Sequence, residues 1–167
     1  ANILRGSIEQ DRTLTTANSP YSVISNLSIE SGVTLTVEAG VEVQVNGDYD
    51  IVVNGRLQAN GTADNRIQFS SSDGQQIQIE FGWGSIENSF RYCDLSNCYL
   101  IGTDQWASSS GGYISEISHC TLSNCGTSKL TCLNVSDNTL DNTNIDIKFT
   151  NMPTWKPNGM ACRVENN

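Results

Sequence analysis

Charge is scarce in this chain, and positive charge is scarcer still. Of 167 residues 16% are charged, with 9 Lys and Arg against 18 Asp and Glu, a net charge of −9. That balance disfavours nucleic acid or an anionic membrane surface as a partner and leaves cations, neutral glycans or protein. No apolar run approaches the roughly 18 residues that a membrane helix needs, so no membrane insertion is expected. Helix formers such as Ala, Leu, Lys and Glu are sparse and never fall into a sustained helical period, which leaves almost no helix to expect. The single histidine, His119, has no second histidine for a structural zinc site. It also has no G-x-S-x-G line for a nucleophilic serine.

Gly, Ser, Thr and Asn fill the space, between short alternating apolar runs. From Tyr21 the order is Val23, then Leu27 and Ile29, the turn Glu30-Ser31-Gly32, Leu35 and Val37, the turn Glu38-Ala39-Gly40, then Val41, Val43 and Val45. Ile51 and Val53, Asn54-Gly55, Leu57 and Ala59, Asn60-Gly61, and Ile67 and Phe69 repeat the theme. Such runs are strand signatures. Equating Leu27 with Ile51, Leu35 with Leu57 and Val43 with Ile67 gives steps of roughly 22 to 24 residues, the range of stacked solenoid units. The expected fold is therefore all-β, a parallel β-solenoid of about six to seven coils. One domain over residues 1–167 is expected: an N-terminal arm or cap at 1–20, coils over 21–150, and an irregular tail at 151–167 broken by Pro153 and Pro157.

The segments SPYSVISNLSIESGVTLTVEAGVEVQV and IVVNGRLQANGTADNRIQF resemble the N-terminal coils of right-handed parallel β-helix proteins of the pectin-lyase-like superfamily, strongest over residues 20–80. The resemblance implies a right-handed β-helix. It selects no function, since that superfamily holds lyases, hydrolases, adhesins and structural modules. The hydrolases in it carry lines such as NTD, DD, GHG and RIK, none of which occurs here; the nearest echo is Ile145-Asp146-Ile147-Lys148. A lyase would need several Asp on one face for calcium, with a basic residue beside them. Asp48, Asp50 and Asp64 near Arg66, and Asp137, Asp141 and Asp146, are the only approximations to such a set. The expectation is no catalytic residue and no cofactor, with a weak calcium site as the minority reading.

Tyr92-Cys93-Asp94-Leu95-Ser96-Asn97-Cys98 returns as His119-Cys120-Thr121-Leu122-Ser123-Asn124-Cys125, and more faintly as Asn138-Thr139-Leu140-Asp141-Asn142. Leu95, Leu122 and Leu140 are expected to stack inside, with Asn97, Asn124 and Asn142 as a ladder at one corner. The six cysteines are expected to form disulfides, which would stabilise the C-terminal half and suit an oxidising compartment. Layers about 4.8 Å apart would allow Cys93 with Cys120 and Cys98 with Cys125, given some local twist, leaving Cys132 for Cys162. Bridging within a corner, Cys93 to Cys98 and Cys120 to Cys125, is the rival connectivity.

The chain opens at Ala1. A mature secreted product would look so, as would an excised fragment, and with the cysteines this gives an extracellular or cell-surface expectation. Sequons at Asn26, Asn60 and Asn134 fall in a phase that turns each Asn outward, as glycosylation would require. Trp83, Tyr99, Trp106, Tyr113 and Trp155 offer faces on which sugar rings or a protein partner could stack, with core filling as the plain alternative. Outward Thr34 and Thr36 make one short T-x-T line of the kind an ice-binding solenoid repeats. The functional expectation is a non-enzymatic structural or adhesive module that self-associates end to end through its N-terminal arm, or binds another surface protein or a glycan. A polysaccharide-degrading solenoid and an ice-binding one are the alternatives.

Overall fold

The computed structural model describes residues 2–102 and 113–144 and, for the backbone, residues 163–165. Each alternating run becomes a strand that ends at a turn, and the strands lie parallel on their equivalents one layer on. The first layer is β1 (Asn2–Ile8) and β2 (Arg12–Leu14), the second β3 (Tyr21–Ile29) and β4 (Thr34–Val37). The third holds β5 (Glu42–Val45), β6 (Asp50–Val53) and β7 (Arg56–Asn60); the fourth β8 (Ile67–Ser71), β9 (Ile77–Phe81) and β10 (Asn88–Arg91). The fifth is β11 (Cys93–Ser96), β12 (Cys98–Gly102) and β13 (Ile114–Ser118); the sixth β14 (Thr121–Ser123), β15 (Gly126–Ser128) and β16 (Cys132–Ser136). β17 (Thr139–Asp141) and β18 (Arg163–Glu165) belong to the last. Helix among the described residues is one short 3-10 turn, Thr16–Asn18.

Three faces result. Face A is the seven-stranded sheet β2, β4, β7, β10, β13, β16 and β18. The second sheet folds into faces B and C because β3 runs through both, residues 21–23 pairing with β5 and residues 27–29 with β6. Face B continues through β8, β11, β14 and β17, and face C through β9, β12 and β15.

Strand alternation sends every second side chain inward, and parallel register sets like on like. Val37, Ala59, Phe90, Ile117 and Val135 form one inward column on face A. Leu27, Ile51, Ile79 and Leu100 form another on face C, all buried. Where the repeat loosens, Phe90 meets Phe69 at 6.0 Å and Phe81 at 6.3 Å, edge to face in both cases. Each such side chain contributes about 1.5–3 kcal/mol by burial.

The corners are made by single residues in the left-handed region. Asn97, Asn124 and Asn142 have φ of 55°, 52° and 45°, and Asn142 Nδ2 donates to Asn124 Oδ1 at 2.7 Å. Asn tolerates this region better than most residues. The neighbouring corner uses Tyr92, His119 and Asp137, with φ of 48°, 54° and 56°. Glycine is required at Gly55, where a Cβ would lie 2.2 Å from the Val33 carbonyl oxygen and 2.3 Å from that of Glu30.

Several expectations change. Within the span 21–150 expected to hold six to seven coils, the described strands complete about five turns, the second to the sixth layer, before the partial last one, because the connections after β9 and β12 take more residues than the earlier turns. Val43 lies beside Phe69, not Ile67; the Thr62–Asn65 turn, closed by reciprocal backbone bonds of 3.1 and 3.2 Å, takes up the difference. An offset of two residues keeps the inward phase, so the core is unharmed. Within the segment expected as an arm or cap, β1 and β2 continue the register as a first layer, with Leu4, Ile8 and Leu14 buried. Leu140 stacks on Leu122 as expected, but at the end of the stack it is 37% exposed. Cys93, Cys98, Cys120 and Cys125, expected in disulfides, are buried thiols in this structure, and Cys132 is buried as well. Cβ atoms directly above one another at about 4.8 Å sit wider than the roughly 3.8 Å of a disulfide.

Candidate functional site

The sequence-derived aromatic set does not form one surface. Trp83 sits in the connection between β9 and β10, 52% exposed, beside Ile86 at 41%. Tyr113 reaches the same corner one layer on, its backbone N–H donating to Ser85 O at 3.0 Å. Burial, then the Glu87 carboxylate, push the Tyr113 hydroxyl above its ordinary pKa. Tyr99 stands instead on face C, its ring laid across Gly126, where an added Cβ would come 2.6 Å from Cε2. Tyr99 therefore closes the gap over a glycine. Trp106 and Trp155 lie outside the described residues.

Asn88, which sequence reasoning passed over, holds the Trp83 corner. Its Oδ1 accepts from Leu57 N–H at 2.8 Å, and its Nδ2 donates to Ser85 Oγ at 2.9 Å and Tyr113 O at 2.8 Å. Three layers are thereby tied through one buried amide. Arg56 and Glu87 form an ion pair on the rim of the same corner.

The acidic groups are dispersed. Asp48 and Asp50 flank the turn into β6, and the Asp50 N–H donates to Asn26 Oδ1 at 3.2 Å. Asp64 belongs to the turn between β7 and β8, a different corner. Arg66 is engaged with Asp94, Nε to Oδ1 at 2.8 Å, and also donates to Cys93 O and Thr121 Oγ1. The hydrogen bond to Asp94 raises the Arg66 pKa further. Asp146 lies outside the described residues. No group of three or more metal-ligating side chains occurs among the described residues.

The outward columns are mixed. On face A, Thr13, Thr36, Gln58, Ser89, Glu116 and Asn134 follow one another, and Thr34 is followed by Arg56. On face B the column runs Gln44, Ser70, Ser96, Ser123 and ends on Asp141. Asn26 and Asn60 are exposed and Asn134 is partly so. Asn60 Oδ1 accepts from Ser89 Oγ at 3.0 Å.

The thiols are the most ordered reactive groups. Each of Cys93, Cys98, Cys120 and Cys125 directly follows a corner residue of positive φ, namely Tyr92, Asn97, His119 and Asn124. Each sulfur also faces the carbonyl two residues back, at 3.2 to 3.5 Å. The Cys-x4-Cys spacing is thus the length of one face. Register places Cys93 over Cys120 and Cys98 over Cys125, and a thiol hydrogen bond joins each pair. Burial, then the shared bond, push Cys93 well up, while that bond lowers Cys120. In the second pair the bond, then burial, raise Cys98, and the bond lowers Cys125. Cys132 lies over Ile114, with its sulfur 3.3 Å from Asn134 O, and Cys162 lies outside the described residues.

On the neighbouring corner Tyr92 and His119 stack with ring centroids 4.6 Å apart and planes 8° apart, and His119 Nε2 lies 3.9 Å from Asp137 Oδ2. Comparison of the chain with protein-family models, with curated proteins and with solved structures gave no match.

Proposed function

We propose that this chain is a non-enzymatic structural or adhesive solenoid of an extracellular or cell-surface setting, similar to the pectin-lyase-like proteins, that associates end to end through its first layer. The observation that carries this reading is the edge of that layer. Among the described residues β1 is bonded to β3 alone and β2 to β4 alone, whereas strands of the inner layers are paired on both sides. Asn2 N–H donates to Pro20 O and Ile8 O accepts from Glu30 N–H. Alternation along a parallel ladder therefore turns the N–H groups of Ile3 and Ser7 away from β3. Ile3, 54% exposed, stands on that strand.

Open edges are templates for another strand, and natural proteins blunt those they do not use. This edge carries a register shift between Leu4 and Gly6 and the exposed charges Arg5, Glu9, Asp11 and Arg12. Two cations and two anions favour a charge-matched partner edge over indiscriminate pairing, and such an association weakens in salt. Sedimentation velocity over a concentration series tests this. The parent chain should associate reversibly, less so at high salt. Ser7→Pro, which removes an outward donor while sparing the bonds to β3, should sediment as a monomer. A parent chain that stays strictly monomeric overturns the proposal.

The exposure of Trp83 and Ile86 at one corner favours a second reading, a stacking platform for a sugar ring or a protein partner. Trp83→Ala should then abolish retention on a glycan array that retains the parent. Equal retention of the two sinks it.

A further inference from the structure

We propose that Cys93 with Cys120, and Cys98 with Cys125, are sites of inter-layer disulfide formation, two staples that lock the fifth layer of the solenoid to the sixth. The rival pairing within a corner fails on distance. β11 runs extended from Cys93 to Ser96, about 10 Å at roughly 3.3 Å per residue. Cys98 lies beyond the next corner, well past the roughly 7 Å limit on Cα separation. Stacked partners start about 4.8 Å apart, inside that limit, and need an approach of only about 1 Å at Cβ. Both pairs sit at corners, where a change at one left-handed residue supplies that approach.

The layer above holds these corners in place. Cys120 N–H donates to Asn138 Oδ1 at 2.9 Å, and Asn138 Nδ2 donates to Ile117 O at 2.9 Å. Cys125 N–H donates to Thr143 Oγ1 at 3.2 Å, and that hydroxyl donates to Leu122 O at 2.8 Å. Arg66 bridges the first pair from outside, donating to Cys93 O and to Thr121 Oγ1, next to Cys120 in sequence.

The oxidant is a small-molecule disulfide. The thiolate of Cys120 attacks one of its sulfurs, and the first small thiolate leaves. Cys93 loses its proton and attacks the Cys120 sulfur of the mixed disulfide, and the second small thiolate leaves. Two protein thiols and one disulfide become one cystine and two small thiols, and the second pair follows the same course. All four sulfurs are buried, so exchange is slow in the folded chain and fast before the sixth layer docks on the fifth.

Glu116 lies between the two members of each staple, after Cys93 and Cys98 and before Cys120 and Cys125. The experiment refolds the full chain with oxidised glutathione, blocks residual thiols with an alkylating agent, denatures the chain and cleaves it after glutamate. Fragments on either side of Glu116 should stay linked until a reductant is added, and their mass should show no alkylation at the four positions. In Cys98→Ser/Cys125→Ser, Cys93 and Cys120 should still join. In Cys120→Ser/Cys125→Ser, Cys93 and Cys98 should both be alkylated. Fragments that separate without reductant, or a Cys93–Cys98 bond in the last variant, overturn the proposal.

Discussion

Replacing Asn88 by Leu keeps the branching at Cγ of a buried side chain and removes its amide. Leu57 N–H then points into the core with no acceptor, because its partner was Asn88 Oδ1 at 2.8 Å and both residues are buried. An unsatisfied buried donor costs about 1–3 kcal/mol. The bonds from Nδ2 to Ser85 Oγ and Tyr113 O are lost as well. Tyr113 is partly exposed, so its carbonyl finds water, and each of these losses comes to roughly 0.5–1.5 kcal/mol. The sum is about 4 kcal/mol, which at roughly 2–4 °C per kcal/mol lowers Tm by about 8–16 °C. Urea unfolding followed by circular dichroism reads the difference, with an unchanged denaturant slope showing that stability alone moved. A loss under about 1 kcal/mol would refute the claim that this amide ties three layers together.

Gly55→Ala should destabilise by roughly 1–3 kcal/mol, since its Cβ meets two backbone carbonyls that have no free rotamer; a thermal melt at or above that of the parent would contradict it. Phe90→Ala empties a fully buried site between Phe69 and Phe81 and should cost about 3–5 kcal/mol in the same assay. The Ser71 hydroxyl and Gln75 N–H hold the Asp73 carboxyl below its ordinary pKa. Its stabilisation is therefore present above the unfolded pKa and lost as pH falls through the folded one. An NMR titration should place its midpoint below that of an unstructured Asp peptide, and a midpoint at or above the peptide value would count against the geometry.

Much of this fold is legible because β-alternation and turn spacing write the same message. Leu27 with Ile51, and Leu35 with Leu57, follow from inward phase alone, and both pairs occur. The returning Cys-x4-Cys lines encode the length of a face, so Leu95 and Leu122 meet in register. Turn length is a different matter. Two residues more or fewer in a turn leave the inward phase intact, so nothing in the apolar pattern could place Val43 beside Phe69. Tyr92 as a left-handed corner residue is equally hidden, because Tyr is not among the types enriched in that region. Asn88 reads as one Asn among many, since its role depends on groups in three layers that only the stack brings together. The five-residue echo Asn138 to Asn142 is too faint to reveal that Asn138 and Thr143 support the cysteine corners from above. Tyr99 reads in the sequence as an aromatic face, and only the stack brings it over Gly126.

The central claim is that each layer lies in parallel register on the one before it. Thr13, Thr36, Gln58, Ser89, Glu116 and Asn134 follow in one outward column of face A, so five layer steps separate Thr13 from Asn134. At about 4.8 Å per step their backbones lie about 24 Å apart. Spin labels on non-canonical residues at those two positions, which leave the native thiols untouched, measure that separation by pulsed electron paramagnetic resonance. A second pair at Thr13 and Glu116 should read about 5 Å shorter. A narrow distribution near 24 Å with that one-step difference is the predicted result, and two pairs with equal or unordered distances would contradict the solenoid.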